Sequence, residues 1–322
     1  MGAALDSLAA ALRAWTPVHV RVSSGEIAWA FVDEPFIQPF FEQTAQRAMQ
    51  HPFNLAFSRR TPLAALDALA ADSPGVAPTG FIFHMSRCGS TLIAQMLAQL
   101  SRVIVLSEPQ PLDALLRLRR GGADDAAVVG WLRGMTSALA QPRNGEQRLF
   151  IKFHAWHVLE LPLIRRAFPG VPWVFVFREP RAVLRSHERM PGADVTAGMV
   201  DAPDLAIGAG AADAVPPEEH AARMLAAFCE AALAEKDSDA CAFAEYGDLP
   251  QSVFAKLLPF FGVAASGEER ERMRDVARRD AKGPGISVPR GGGCAWPGIE
   301  RVAARCLDGP YAALVAASAR WR

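Results

Sequence analysis

The chain has 322 residues, 51% of them hydrophobic, enough to bury one large core or one core with an appended lobe. Lys plus Arg and Asp plus Glu each total 34, so the net charge is zero and no overall field steers the protein toward nucleic acid or another long polyanion. Five widely spaced cysteines without a Cys-x-x-Cys pair suggest neither a disulfide framework nor a zinc site, and fit a reducing, cytoplasmic setting.

Met1 to Leu8 has no basic leader ahead of an apolar run and reads as an amphipathic helix. No stretch of about 18 apolar residues follows anywhere, so no membrane span is expected. Val18–Val22 and Glu26–Val32 alternate as strands do, and Ser23-Ser24-Gly25 between them predicts a hairpin. The segment from Pro35 to Leu69 reads as helical. Pro74, Gly75 and Pro78 then interrupt the chain, which sets a boundary between an α+β lobe over residues 1–78 and a larger domain over residues 79–322.

Beyond that boundary, apolar runs at Gly80–His84, Val103–Leu106, Leu149–Phe153, Trp173–Phe177 and Cys241–Ala244 alternate with helical stretches. The pattern predicts an α/β fold of three layers, a central, mostly parallel sheet covered by helices on both faces. Ligands of such sheets bind beyond the carboxyl ends of the strands, and every chemically notable residue of this chain follows a strand end. Two irregular stretches, Gly192–Pro217 and Gly283–Cys294, fit either lids or solvated connectors.

The first of the buried strands runs into Met85-Ser86-Arg87-Cys88-Gly89-Ser90-Thr91-Leu92, a tight turn with one cation that opens a helix bearing hydroxyls. Unpaired N–H groups at a helix start carry partial positive charge, so Gly89, Ser90 and Thr91 form an anion cradle. The Gly-Lys-Ser/Thr of an ATP-binding loop is absent; the cation, Arg87, precedes the glycine instead. Cys88 has two readings: a helix N-terminus and Arg87 would lower its thiol pKa and make a nucleophile, or the residue simply fills the loop.

Further candidates follow the later strands. Arg178, ahead of Pro180 at a helix start, can fork two phosphate oxygens, and Ser186 can add a third bond; the same pattern also suits a structural ion-pair corner. Lys152 and His154 follow another strand. His154 suits a general base near neutral pH, or a packed histidine, and His157 lies three residues on as partner or rival. Glu108 is a second candidate base if desolvation raises its pKa, or a helix N-terminal charge ahead of Pro111.

Together these segments resemble the sulfotransferase family, whose co-substrate is 3′-phosphoadenosine 5′-phosphosulfate, over residues 80 to 263. Arg87-Cys88-Gly89-Ser90-Thr91 stands where the family has Lys or Arg, Ser, Gly, Thr, Thr, which implies a 5′-phosphosulfate loop of P-loop type; Leu92 replaces the adenine-stacking Trp of cytosolic members, as in Golgi and bacterial branches. Arg178, Pro180 and Ser186 match the family's Arg-x-Pro-x-x-x-x-x-Ser and imply a 3′-phosphate site. Ile151-Lys152-Phe153-His154 is similar to the family's Lys-x-His strand end, which implies a catalytic base at His154 and a donor contact at Lys152. Glu108 is placed like the catalytic glutamate of Golgi-type members. Tyr246-Gly247-Asp248-Leu249 resembles a Tyr-Glu-Asp-Leu segment, and Arg279-Asp280-Ala281-Lys282-Gly283 approximates the loop that closes on the 3′-phosphate, with Lys282 as its cation.

The resemblance implies sulfuryl transfer without a metal to a hydroxyl or amine of a small-molecule, lipid or peptide acceptor, by a monomer or homodimer. Trp156 and Trp296 are candidates to line an apolar acceptor pocket. Two other readings remain open: a nucleotide-dependent phosphotransferase, with Asp248 or Glu108 holding magnesium, and a nucleotide-binding module without catalysis.

Overall fold

In the computed structural model, residues 11–12, 14–200, 215–237, 240–279 and 296–319 are described. The expected helix over Met1–Leu8, Lys282 and the stretch Gly283–Cys294 lie outside these residues, as does most of Gly192–Pro217.

The alternation near the start of the chain forms the expected hairpin, β1 (Trp15–Arg21) antiparallel to β2 (Glu26–Phe31). A third strand, β3 (Arg59–Pro62), pairs with β2. It falls inside the segment expected to be helical, between α1 (Phe41–Gln50), α2 (Pro52–Ala56) and α3 (Ala65–Asp72). Only four residues long and without an apolar pattern of its own, it takes extended form from its partners. The buried Trp29 indole donates to Thr61 Oγ1 at 2.8 Å, and the unpaired edge of β2 supplies the ladder.

Among the described residues five strands build the main sheet: β4 (Pro78–His84), β5 (Val103–Ser107), β6 (Arg148–Lys152), β7 (Trp173–Phe177) and β8 (Cys241–Glu245). Their order is β5-β6-β4-β7-β8 and every neighbouring pair is parallel. All five residues of β7 are buried, so both faces of the sheet are covered there and the run is continuously apolar instead of alternating. From central β4 the chain crosses outward to β5, returns to β6 beside β4, then passes to β7 on the other side. That reversal around β4 opens a crevice at the carboxyl ends of the strands.

Helices connect these strands. They are α4 (Ser90–Leu97) after β4, α5 (Gln110–Arg120) and α6 (Asp125–Leu139) after β5, α7 (Leu161–Ala167) after β6, α8 (Pro180–Arg189) after β7 and α9 (Pro217–Ala234) before β8. The N-terminal sheet packs against the second of these. The Gln110 side chain accepts from Val20 N at 3.0 Å and donates to Val20 O at 3.3 Å, so its amide pairs with the edge of β1 as a further strand would. Nearby, α3 lies so close to α6 that a Cβ on Gly134 would meet Leu66 Cβ at 2.8 Å. One hydrophobic cluster runs from Trp15, Trp29 and Leu66 through Phe83, Phe150 and Phe175 without a break.

Candidate active site

The turn after β4 owes its shape to the backbone. Ser86 (φ 74°), Arg87 (φ 50°) and Gly89 (φ 85°) all lie in the left-handed region, which costs two of them the usual side-chain penalty. Gly89 is the residue before the first turn of α4, and a Cβ there would meet Leu249 Cδ1 at 2.7 Å and the Tyr246 ring at 2.9 Å. Both its conformation and its surroundings therefore require glycine. Ser90 and Thr91 follow as the first two residues of the helix, with their N–H groups at its open end.

A cavity of about 760 Å³ sits over the carboxyl ends of the strands. The anion loop lines one side with Arg87, Gly89, Ser90, Thr91 and Leu92; Arg178, Ser186 and Tyr246 line the next; Glu108, Lys152 and His154 form the floor. These residues thus face one space, although they leave five different strands. Arg178 lies 4.2 Å over the Tyr246 ring and donates to Arg87 O at 3.3 Å, while Arg87 donates to Met190 O at 2.8 Å. The two guanidiniums are held by carbonyls and an aromatic face with no carboxylate bonded to either among the described residues, an arrangement that suits an anion.

Glu108 is the centre of the floor. It too is left-handed (φ 55°), and its N–H donates to Lys152 O at 2.7 Å, which ties the exits of β5 and β6 together. Its carboxylate forms an ion pair with Lys152, a side chain only 1% exposed. The second oxygen stands 3.4 Å from His154 Nδ1, and the first 3.5 Å from His84 Nε2. Burial pushes the Glu108 carboxyl up, but Lys152, His84 and His154 outweigh it and hold the group well below the usual carboxylate range. The expected upward shift is therefore reversed, because the buried ammonium beside the carboxylate favours its charge more than desolvation disfavours it.

Two further expectations change. Cys88 is fully buried, donates to Val176 O at 3.0 Å and has its thiol pushed up to about 12 by burial, which exceeds the opposing pull of the helix-start N–H groups. A thiolate nucleophile does not arise there. His157 does not line the cavity. It is wholly buried with Nε2 at 3.1 Å from Asp113 Oδ1, and burial lowers it to about 4. Asp113 also accepts from the Trp156 indole at 3.0 Å and from Arg117 at 2.6 Å, so His157 belongs to a packed hub behind the floor. Of the two tryptophans, Trp156 borders the cavity and Trp296 is buried away from its lining. Asp248 lies outside the lining as well, 3.8 Å from Lys256.

His84 was not singled out by sequence, yet it also lines the floor. It ends β4, is 5% exposed, accepts from Ser86 N at 3.0 Å through Nδ1 and stands 3.1 Å from Phe153 O through Nε2. Its one legible signal is a polar side chain closing the apolar run Phe81-Ile82-Phe83 directly before the loop. Asp194 and Phe40 join the lining from segments whose fold no local pattern forecasts.

No protein-family model matches the chain, and no curated protein does. Among solved structures it is similar to a sulfotransferase from Mycobacterium avium, with 14% identity, a TM-score of 0.48 and 95% of each chain covered. It is also similar to a sulfotransferase from Mycobacterium tuberculosis, with 15% identity, a TM-score of 0.44 and 84% of each chain covered. A sulfotransferase domain from a Synechococcus olefin synthase aligns at 16% identity with a TM-score of 0.43, over 77% of this chain and 96% of that one.

Proposed function

We propose that the protein is a sulfotransferase that moves a sulfuryl group from 3′-phosphoadenosine 5′-phosphosulfate to a hydroxyl or amine of a small-molecule, lipid or peptide acceptor. The observation that carries this reading is the convergence, on one cavity, of an anion loop without the ATP-type lysine, the Arg178–Ser186 pair and the Glu108–His154–Lys152 floor. Arg87 with the start of α4 suits the 5′-phosphosulfate, and Arg178 with Ser186 suits the 3′-phosphate. The cavity volume is ample for a nucleotide.

His154 is the base. Glu108, held in its charged form by its neighbours, stands 3.4 Å from His154 Nδ1, where its charge favours a proton on that nitrogen and directs Nε2 to take the acceptor's proton. As that proton moves, the acceptor oxygen or nitrogen forms its bond to sulfur, the bridging S–O bond breaks in line, and the electron pair leaves on the 5′-phosphate. Glu108 then stabilises the imidazolium, and Lys152 and Arg87 stabilise the departing phosphate. The phosphotransferase reading loses one of its two magnesium carboxylates from the cavity, Asp248, and the other, Glu108, is already paired with Lys152.

The test has two arms. Adenosine 3′,5′-bisphosphate raises the unfolding midpoint of the protein while adenosine 5′-triphosphate with magnesium does not. Donor labelled in the sulfuryl group transfers label to at least one compound of an acceptor panel of alcohols, phenols and amines. The absence of any shift at millimolar bisphosphate sinks the reading, and a shift with the triphosphate alone favours phosphoryl transfer.

A further inference from the structure

Resting on that reading, we propose that His84 is a positioning residue, an uncharged imidazole that locks the donor loop and the Glu108–His154 pair into one geometry. Its two nitrogens meet different parts of the machinery. Nδ1 accepts the N–H of Ser86 at 3.0 Å, so this nitrogen carries no proton and the hydrogen resides on Nε2. Nε2–H then donates to Phe153 O at 3.1 Å, the carbonyl directly before His154. The same Nε2 stands 3.5 Å from Glu108 Oε1, longer than an ordinary hydrogen bond but close enough for its proton to favour the carboxylate's charge.

The Ser86 bond matters because Ser86 and Arg87 are both left-handed, a shape that persists only where surroundings impose it. An acceptor aimed at the Ser86 N–H from within the floor is such a constraint. The ring itself has no freedom to supply anything else: it is 5% exposed, among β4, the exit of β6 and Glu108. Charged groups facing it are Lys152 and Glu108, with Asp194 beyond. Burial and Lys152 lower its affinity for a second proton, against the pull of Glu108, and this keeps Nδ1 an acceptor. His84 thereby makes the position of the base depend on the shape of the donor loop, two features that the chain builds from different strands.

The two nitrogens can be tested apart. In His84→Asn the side-chain oxygen replaces Nδ1 as acceptor for Ser86, whereas the contact to Phe153 and Glu108 is lost; bisphosphate affinity then stays within about threefold of wild type and kcat falls at least tenfold. In His84→Gln the longer amide reaches the Nε2 position and abandons Ser86, so bisphosphate affinity falls at least tenfold. Equal losses of both quantities in both variants, or no loss in either, overturn the proposal. Because a variant can fail to fold, histidine-labelled ¹⁵N spectra of the wild-type protein give a second reading. A neutral ring with bare Nδ1 from pH 6 to 8, whose shift moves on adding bisphosphate, is expected; a charged ring or one that ignores the ligand overturns the assignment. Failure of wild type itself to bind bisphosphate is the distinct result that removes the sulfotransferase reading beneath it.

Discussion

Lys152 and Glu108 leave adjacent parallel strands and meet as a buried ion pair, with the ammonium almost wholly removed from solvent and the carboxylate 20% exposed to the cavity. An ammonium so placed needs its counter-charge, and that charge is the same one that orients His154. On the proposed reading, structural and catalytic demands therefore fall on a single carboxylate.

Separating them requires two substitutions. Glu108→Gln keeps a hydrogen-bond acceptor for Lys152 and is expected to lower kcat by about 10²-fold or more while bisphosphate affinity changes little. Glu108→Ala strands Lys152 and is expected to destabilise the fold by about 2–3 kcal/mol, moderated by the carboxylate's partial exposure, as read from urea unfolding. His154→Ala lowers kcat to the level of Glu108→Gln without the stability loss, since the ring is 31% exposed. Near-normal transfer by both His154→Ala and Glu108→Ala would remove these residues from the chemistry.

Gly89→Ala puts a Cβ on a left-handed residue and drives it into Leu249 and Tyr246. The expected cost is about 2 kcal/mol of stability, with bisphosphate affinity reduced at least tenfold. Adding Leu249→Ala relieves one of the two contacts but neither the one with Tyr246 nor the backbone strain, so the double variant recovers only part of the loss in calorimetry.

Arg178→Lys keeps a positive charge yet loses the planar fork that lies over Tyr246 and donates to Arg87 O. Bisphosphate binding is expected to weaken by about 10–100-fold. Lysine that binds as well as arginine would show that charge alone is being read at this position.

His157 predicts the shape of the stability curve in acid. It is buried and uncharged, with its folded pKa lowered from 6.5 to about 4, so the unfolded chain binds the extra proton first. Stability from this group is fully present above pH 6.5, falls as pH drops from 6.5 toward 4 and levels off below. Full protonation costs on the order of 3 kcal/mol. The lowered His84 adds to the slope in the same direction. Chemical unfolding at pH 7, 6 and 5 measures it, and His157→Gln makes the decline shallower; an unchanged slope in that variant would refute the assignment.

How far these positions were legible in advance varies with the kind of signal. Trp173–Phe177 was readable to the residue, because a strand covered on both faces must be continuously apolar. Arg59–Pro62 was not, since four residues with no apolar pattern become a strand only when β2 offers an edge. His157, three residues from His154, was a possible partner or rival base in the chain, but the short turn after β6 sends one ring to the cavity and the other to Asp113.

By itself the sequence determined the strand runs, the turn that opens α4 and the placement of Arg178 and Ser186 on one strand-to-helix unit, because each is written in contiguous residues whose periodicity or turn chemistry acts over a few positions. Only the tertiary structure decided which way burial and neighbours push the floor groups, and the contacts that His84 makes. The helix start and Arg87 suggested a lowered Cys88 and desolvation alone a raised Glu108, and both directions reversed. Desolvation and Coulomb interaction depend on what packs nearby in space, and for Glu108 that neighbour, Lys152, is 44 positions away along the chain.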